Sequence, residues 1–259
     1  MKKIFNYTAR IFAVIFIIFA ISVLLFLFLP FETTQDFLDK EISYDIPFIV
    51  IKGNKETAMK QLYISACCKP DVFWFEDDYT ISFPTSNCQV VILNKKYNDY
   101  KERKIWLDNE IDSVLSEIIT DDMTDYEKIL VINNWICENF EYDKTDAENK
   151  QDAYSAFVNR KTVCNGYAKT FSYMLSRAGI DSELIIGKCI GRNNLIQHHA
   201  WNAIVVDGNK YFFDITWNDT GNTDKWLFMD SEEFSQRHIL DEYCISVPAI
   251  KENGGYELI

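Results

Sequence analysis

Cys164 in TVCNGYAKTF, His199 in HHAWNAIVV and Asp214 in KYFFDITW have the side-chain types of a nucleophile, a base and an orienting acid. A thiol attacks only as thiolate, and a helix N-terminus favours that anion through its free N–H groups and the positive end of its dipole. Beyond Cys164 the pattern is helical, with Tyr167, Phe171, Met174 and Leu175 recurring at helical spacing, so the thiol sits at a helix start. The N–H groups there can also hold an oxyanion, and Gly166 permits close approach of a substrate backbone. Read alone, Cys164 is equally a core thiol or half of a disulfide. Its company is what points to chemistry. Histidine is the natural base near neutral pH. An aspartate within the apolar run YFFDITW needs a partner, because an isolated buried carboxylate is costly, and an imidazole N–H is a good one. His198 is the alternative base; by strand alternation it faces the other way from His199.

The elements that must position these residues follow from periodicity and punctuation. A helix is predicted over 98–119, with Trp106, Ile111, Val114, Leu115 and Ile118 inward. Thr124 and Glu127 form a capping box that opens a helix to about residue 140, carrying Ile129, Ile132, Ile136 and Phe140 on one face. After the polar stretch EYDKTDAENKQD, a short helix covers AYSAFVN. The helix from Cys164 runs to 177, and Gly179 supplies the left-handed stop. Three strands follow: SELIIGKCI, HAWNAIVV and KYFFDITW. Asp207-Gly208 signals a hairpin between the last two. Centring the turn on Asp207–Lys210 sets His199 opposite residue 218 and Asp214 opposite residue 203. A direct His199–Asp214 pair then requires a bulge or a longer loop. Upstream, IPFIVIKG, DVFWF, YTISF and CQVVILNKKY read as strands.

Residues 11–31, IFAVIFIIFAISVLLFLFLPF, carry no charge. About 20 apolar helical residues cross the roughly 30 Å hydrocarbon layer of a bilayer. Lys2, Lys3 and Arg10 precede this stretch, and every one of the 39 acidic residues lies beyond it. The positive-inside rule therefore predicts a single-pass signal-anchor: residues 1–10 cytoplasmic, 11–31 in the membrane, everything from 32 onward extracytoplasmic. A cleaved signal peptide is the other reading; the apolar run is long for one and no small-x-small site follows. The 259-residue chain carries a net charge of −13, which argues against nucleic acid as a partner. No phosphate-binding glycine loop and no calcium-loop pattern occurs, and the cysteine and histidine spacings are not those of structural zinc. No metal or other cofactor is expected.

Seven cysteines are present, an odd number: Cys67, Cys68, Cys88, Cys137, Cys164, Cys189 and Cys244. In an oxidising compartment up to three disulfides could form and leave one thiol. Cys137, on a helix face, and Cys189, in a strand, read as small core hydrophobes.

TVCNGYAKTFSYMLSRAGI followed by HHAWNAIVVDGNKYFFDITW resembles the bacterial branch of the transglutaminase-like superfamily. The shared pattern is Cys-x-Gly-Tyr-Ala on a helix, His-Ala-Trp-Asn on a strand and Tyr-x-x-Asp-x-Thr-Trp on the next. The resemblance spans roughly residues 122–238. It implies an α+β, papain-like core in which a helix bearing the cysteine packs on an antiparallel sheet bearing histidine and aspartate. It also implies a catalytic triad of Cys164, His199 and Asp214 that acts on a protein or peptide substrate, such as a cell-envelope peptide, through a thioester that water resolves by hydrolysis, as in a peptidase or amidase, or an amine by transamidation. On this reading residues 101–259 are the catalytic domain, and 32–100 form a tether and a small β-rich region that the resemblance does not cover. Trp201, Trp217 and Tyr167 are expected in the core, and Trp135 to pack on its helix face. A non-catalytic module of the same fold, serving binding or scaffolding at the envelope, is the alternative; an intact triad counts against it.

Overall fold

The computed structural model describes residues 48–54, 80–85, 88–92, 98–145, 151–191, 194–239 and 245–246. The chain divides into two compact units, one from residues 1–61 and 79–93, the other from 62–78 and 94–259. Among the described residues no helix is long and apolar enough to cross a membrane. The span predicted over 11–31, the tether and the strand predicted at DVFWF lie outside the described residues.

In the first unit, β1 (Phe48–Lys52), β2 (Thr80–Thr85) and β3 (Cys88–Ile92) form an antiparallel sheet in the order β1-β3-β2. Ile49 and Ile51 are buried in it, as the alternation of a half-covered strand requires. Among the described residues of this region, these three strands are what the structure shows.

The second unit begins with α1 (Tyr100–Ile118). Its inward stripe is Tyr100, Leu107, Ile111 and Leu115. Trp106 was expected on that stripe, but it lies one residue off it, is 39% exposed, and sets its ring edge-on to Tyr154. Next comes α2 (Asp125–Asn139). The capping box at its start is complete: the Thr124 hydroxyl accepts from Glu127 N–H, and the Glu127 carboxylate accepts from Thr124 N–H at 2.9 Å. Ile129, Ile132 and Ile136 are fully buried along its inner face.

Two short elements escaped the sequence pattern. Within the polar stretch, β4 (Glu141–Tyr142) pairs in parallel with β5 (Lys161–Thr162), on either side of α3 (Ala153–Asn159). Segments of two residues carry no readable period.

The helix that bears the thiol, α4 (Cys164–Arg177), is central. Every residue from Gly166 to Leu175 is buried, so it is enclosed on all sides rather than amphipathic. One side packs on the sheet of β6 (Ser182–Ile190) and β7 (Ile196–Val206), the other on α2 and α3. Phe171, Met174 and Leu175 are completely buried, each contributing about 1.5–3 kcal/mol by removal from water. Gly179 takes φ +81° and ends the helix as expected.

The antiparallel sheet runs β10 (Ile245–Ser246), β6, β7, β8 (Asn209–Phe213), with β9 (His238–Ile239) also paired to β6. Asp207 and Gly208 alone form the β7–β8 turn, at φ 50° and 78°. That is the pair of left-handed residues a two-residue hairpin demands. Val206 therefore faces Asn209 and Asn202 faces Phe213. The register is two residues tighter than the sequence reading set it. The strand also stops earlier: Ile215-Thr-Trp opens α5 (Ile215–Gly221) instead of continuing β8. A last short helix, α6 (Ser231–Ser235), covers the sheet, and its Phe234 joins Ile185, Trp201, Ala203, Phe212 and Met229 in a second core.

Candidate active site

Asp214 is the residue between β8 and α5. It is not in the strand, as the sequence reading had it, but is the N-cap of α5, its Oδ1 accepting Trp217 N–H at 3.0 Å. This exit from the sheet is what brings it to His199, and no bulge is involved. Asp214 Oδ2 lies 2.8 Å from His199 Nε2, with both side chains buried. With Nε2 committed to the carboxylate, Nδ1 is the nitrogen left to face the thiol, and Cys164 is near enough to act on the charge of the ring. All three predicted residues therefore meet. His198 is exposed on the rim and contacts neither partner in the way His199 does.

The charges follow from this geometry. Burial alone would lower the His199 pKa. The Asp214 carboxylate and its hydrogen bond, followed by the hydrogen bond and charge of Cys164, outweigh burial and hold it well above the ordinary histidine value. Burial alone would raise Asp214; the imidazole of His199, then that of His238, hold it down to about 2. The resting arrangement is an imidazolium held against the Asp214 carboxylate.

Val163, the N-cap of α4, has no side-chain cap, and the first bonded amide is Tyr167 N–H, on Val163 O at 3.1 Å. The first-turn N–H groups at Cys164 are thus not spent on a capping side chain. Cys137, Cys164 and Cys189 are all free thiols, which rules out three disulfides for this chain. Cys67, Cys68 and Cys244 lie outside the described residues. Burial pushes the Cys137 thiol up to about 12, and it raises Cys189, which is completely buried, in keeping with core roles for both.

Cross-links hold the site-bearing elements together. Asn202 Nδ2 donates from β7 to Ala168 O at 3.1 Å and Ser172 Oγ at 2.9 Å on α4. Tyr167 on α4 donates to Asp219 Oδ2 on α5 at 2.5 Å. Tyr167 and Trp201 are core residues as expected, and Trp135 packs on Phe140 and Phe157. Trp217 departs from expectation: half-buried, it covers His199 and His238 at ring distances of 5.4 and 4.7 Å and lines a cleft. The cleft, of about 580 Å³, also exposes Tyr142, His198, His199, Trp226 and Arg237.

His238 was missed from sequence. It is buried, and its Nε2 lies 2.9 Å from the same Asp214 oxygen that His199 uses. It is 24 residues beyond Asp214, and no period connects them. The one available signal was a buried carboxylate with capacity for more than one donor. His199, Asp214 and His238 bring one ligand atom each within 4.8 Å of one another, a spacing that could admit a metal. Both imidazole bonds to Oδ2 already account for that closeness.

Residues 112–230 match the family model described as the transglutaminase-like superfamily. Over this segment the chain is similar to that superfamily. The human kyphoscoliosis peptidase is 30% identical over 143 residues, covering 49% of this chain and 22% of the relative. Its mouse counterpart is 27% identical over 155 residues, covering 54% and 23%. The chain thus spans under a quarter of either relative's length. A crystal structure of a TGase aligns with a TM-score of 0.40 at 15% identity, over 72% of this chain and 55% of that one. The transglutaminase-like core seen here, a cysteine helix against an antiparallel sheet, is the mixed α+β architecture that the sequence pattern implied.

Proposed function

We propose that this protein is a membrane-anchored, extracytoplasmic cysteine enzyme that cleaves peptide or related amide bonds through a thioester on Cys164. The observation that carries the reading is the His199 ring set between the Cys164 thiol and the Asp214 carboxylate. The thiolate attacks the amide carbonyl, and the first-turn N–H groups of α4 take the oxyanion. His199 passes its proton to the departing amine as the C–N bond breaks, leaving the thioester. Water, deprotonated by His199, then attacks; the acid is released and the thiol restored. An amine in place of water would give a cross-linked product by the same steps. The relatives' name, peptidase, agrees with a peptide donor. The cleft walled by Trp217 and Trp226 has room for a side chain beside His199. The charge-free run 11–31, with cations before it and acids after it, supports a cytoplasmic N-terminus and an outward-facing domain.

The test uses the full chain in detergent with an activated peptide ester. Intact mass should show one acyl group, absent in Cys164→Ala, and product analysis with and without added amine separates hydrolysis from transamidation. Equal acylation of the wild type and Cys164→Ala would sink the assignment. On intact cells, a membrane-impermeant version of the ester should label Cys164 without lysis; labelling only after lysis would reverse the orientation.

A further inference from the structure

We propose that His238 is a positioning residue that holds Asp214 in place for His199, so that the working unit is Cys164–His199–Asp214–His238. The inference deepens the enzymatic reading above and rests on it. Asp214 Oδ2 is approached by two imidazole nitrogens, His199 Nε2 at 2.8 Å and His238 Nε2 at 2.9 Å. Oδ1 is taken by Trp217 N–H. The carboxylate is therefore pinned by three donors from three elements, β7, β9 and α5, and cannot rotate away from His199 without losing one of them.

The His238 ring is itself rigidly held. It stacks on Phe234 at 3.7 Å and 12°, meets the edge of Trp201 at 4.9 Å, and lies 3% exposed. Its Nδ1 lies 3.3 Å from Phe234 O, a longer approach than the one to Asp214. Burial lowers its pKa, so the neutral ring has one N–H, and the carboxylate is the stronger acceptor for it. A neutral donor at Oδ2 makes that oxygen a poorer base while adding no positive charge beside His199. Asp214 then stays ionised, and the proton on His199 is kept for the leaving amine. The groups that face or feel Asp214 are His199 from β7, His238 from β9, Cys189 from β6 and Tyr142 from β4, with Cys164 of α4 reached through His199.

A ring needed only for packing could be replaced by phenylalanine; a donor could be replaced by glutamine. The experiment is a pH titration of ring-labelled histidines by NMR on the full chain in detergent, comparing wild type, His238→Phe and His238→Gln. The chain has only three histidines, which makes assignment by the variants direct. Asp214 protonation appears as an acidic inflection in the His199 signals. In His238→Phe it should move up by about one pH unit or more, and in His238→Gln it should stay near wild type. In the same variants, kcat for the activated peptide ester should fall about 10–100-fold with KM little changed for phenylalanine, and recover in part for glutamine. An unmoved inflection in folded His238→Phe overturns the proposal. If that variant does not fold, His238→Gln decides: a wild-type inflection supports the donor role, and an upward shift overturns it. Because the titration needs no turnover, an inert wild type would defeat the enzymatic reading and still leave the Asp214–His238 coupling readable.

Discussion

Two helix starts in this molecule look alike from the backbone and are finished differently. Thr124 and Val163 are both extended residues preceding a helix, at ψ 161° and 178°. At Thr124 a reciprocal capping box satisfies the first turn, and the helix gains stability and nothing else. At Val163 the side chain is a hydrocarbon that can accept nothing, and the turn it leaves uncapped is the one that bears Cys164. Side chains cap α3, α5 and α6 as well, through Asp152, Asp214 and Asp230. The start of α4 thus forgoes about 1 kcal/mol of capping stability where free N–H groups would meet an oxyanion.

The largest effect should come from breaking what the uncapped turn serves. His199→Ala should lower ester acylation by about four orders of magnitude or more, since thiol and leaving group lose one shared proton carrier. Asp214→Asn keeps the cap on α5 and should cost roughly 10²–10⁴-fold, because an amide can accept a bond without stabilising the imidazolium by charge. That variant also carries a stability signature. A carboxyl whose folded pKa is depressed stabilises the fold above its unfolded value near 3.9, and this is lost as pH falls toward the folded value of about 2. Acid unfolding of the wild type should therefore steepen between about pH 4 and 2, and Asp214→Asn should lack that component; identical acid profiles would contradict it.

A smaller effect sharpens the comparison itself. Val163→Thr is nearly isosteric and adds the missing cap. It should raise stability in urea by about 0.5–1 kcal/mol while slowing acylation about tenfold, as the hydroxyl takes an N–H from the oxyanion. Faster acylation together with higher stability would mean the first-turn amides do not serve the reaction. Smallest of all, Thr124→Ala should cost about 1 kcal/mol and leave the rate per folded molecule unchanged. A lowered rate there would mean α2 transmits strain to the site.

Local signals of strong chemistry were legible in the sequence: the Thr124–Glu127 box, Gly179, the Asp207-Gly208 turn, and the helix that begins at Cys164. What sequence could not carry was decided by tertiary contact. The apolar run YFFDITW reads as one strand throughout, yet Asp214 ends it, because a carboxylate next to two imidazoles and an open helix turn is better satisfied as a cap than in a ladder. The polar residues Thr170 and Ser172 look outward by composition and are buried. Ser172 is met there by Asn202 and Ser182, partners supplied by other strands. His238 belongs to the same class, its role visible only where the chain returns to the sheet through β9.

Asp214 has a further consequence in being both the partner of two histidines and the N-cap of a seven-residue helix. A helix that short has no persistence in water on its own. Its existence, and with it the Trp217 wall of the cleft, depends on the side chain that also charges His199. Mutational drift at Cys164 would silence the chemistry and leave the architecture standing, whereas drift at 214 to a residue that cannot cap would erode both at once. Lineages of this fold that lost their reaction would then be expected to relinquish the thiol first and to retain an aspartate or asparagine at this corner long afterwards, a fossil of the active site kept for mechanical reasons.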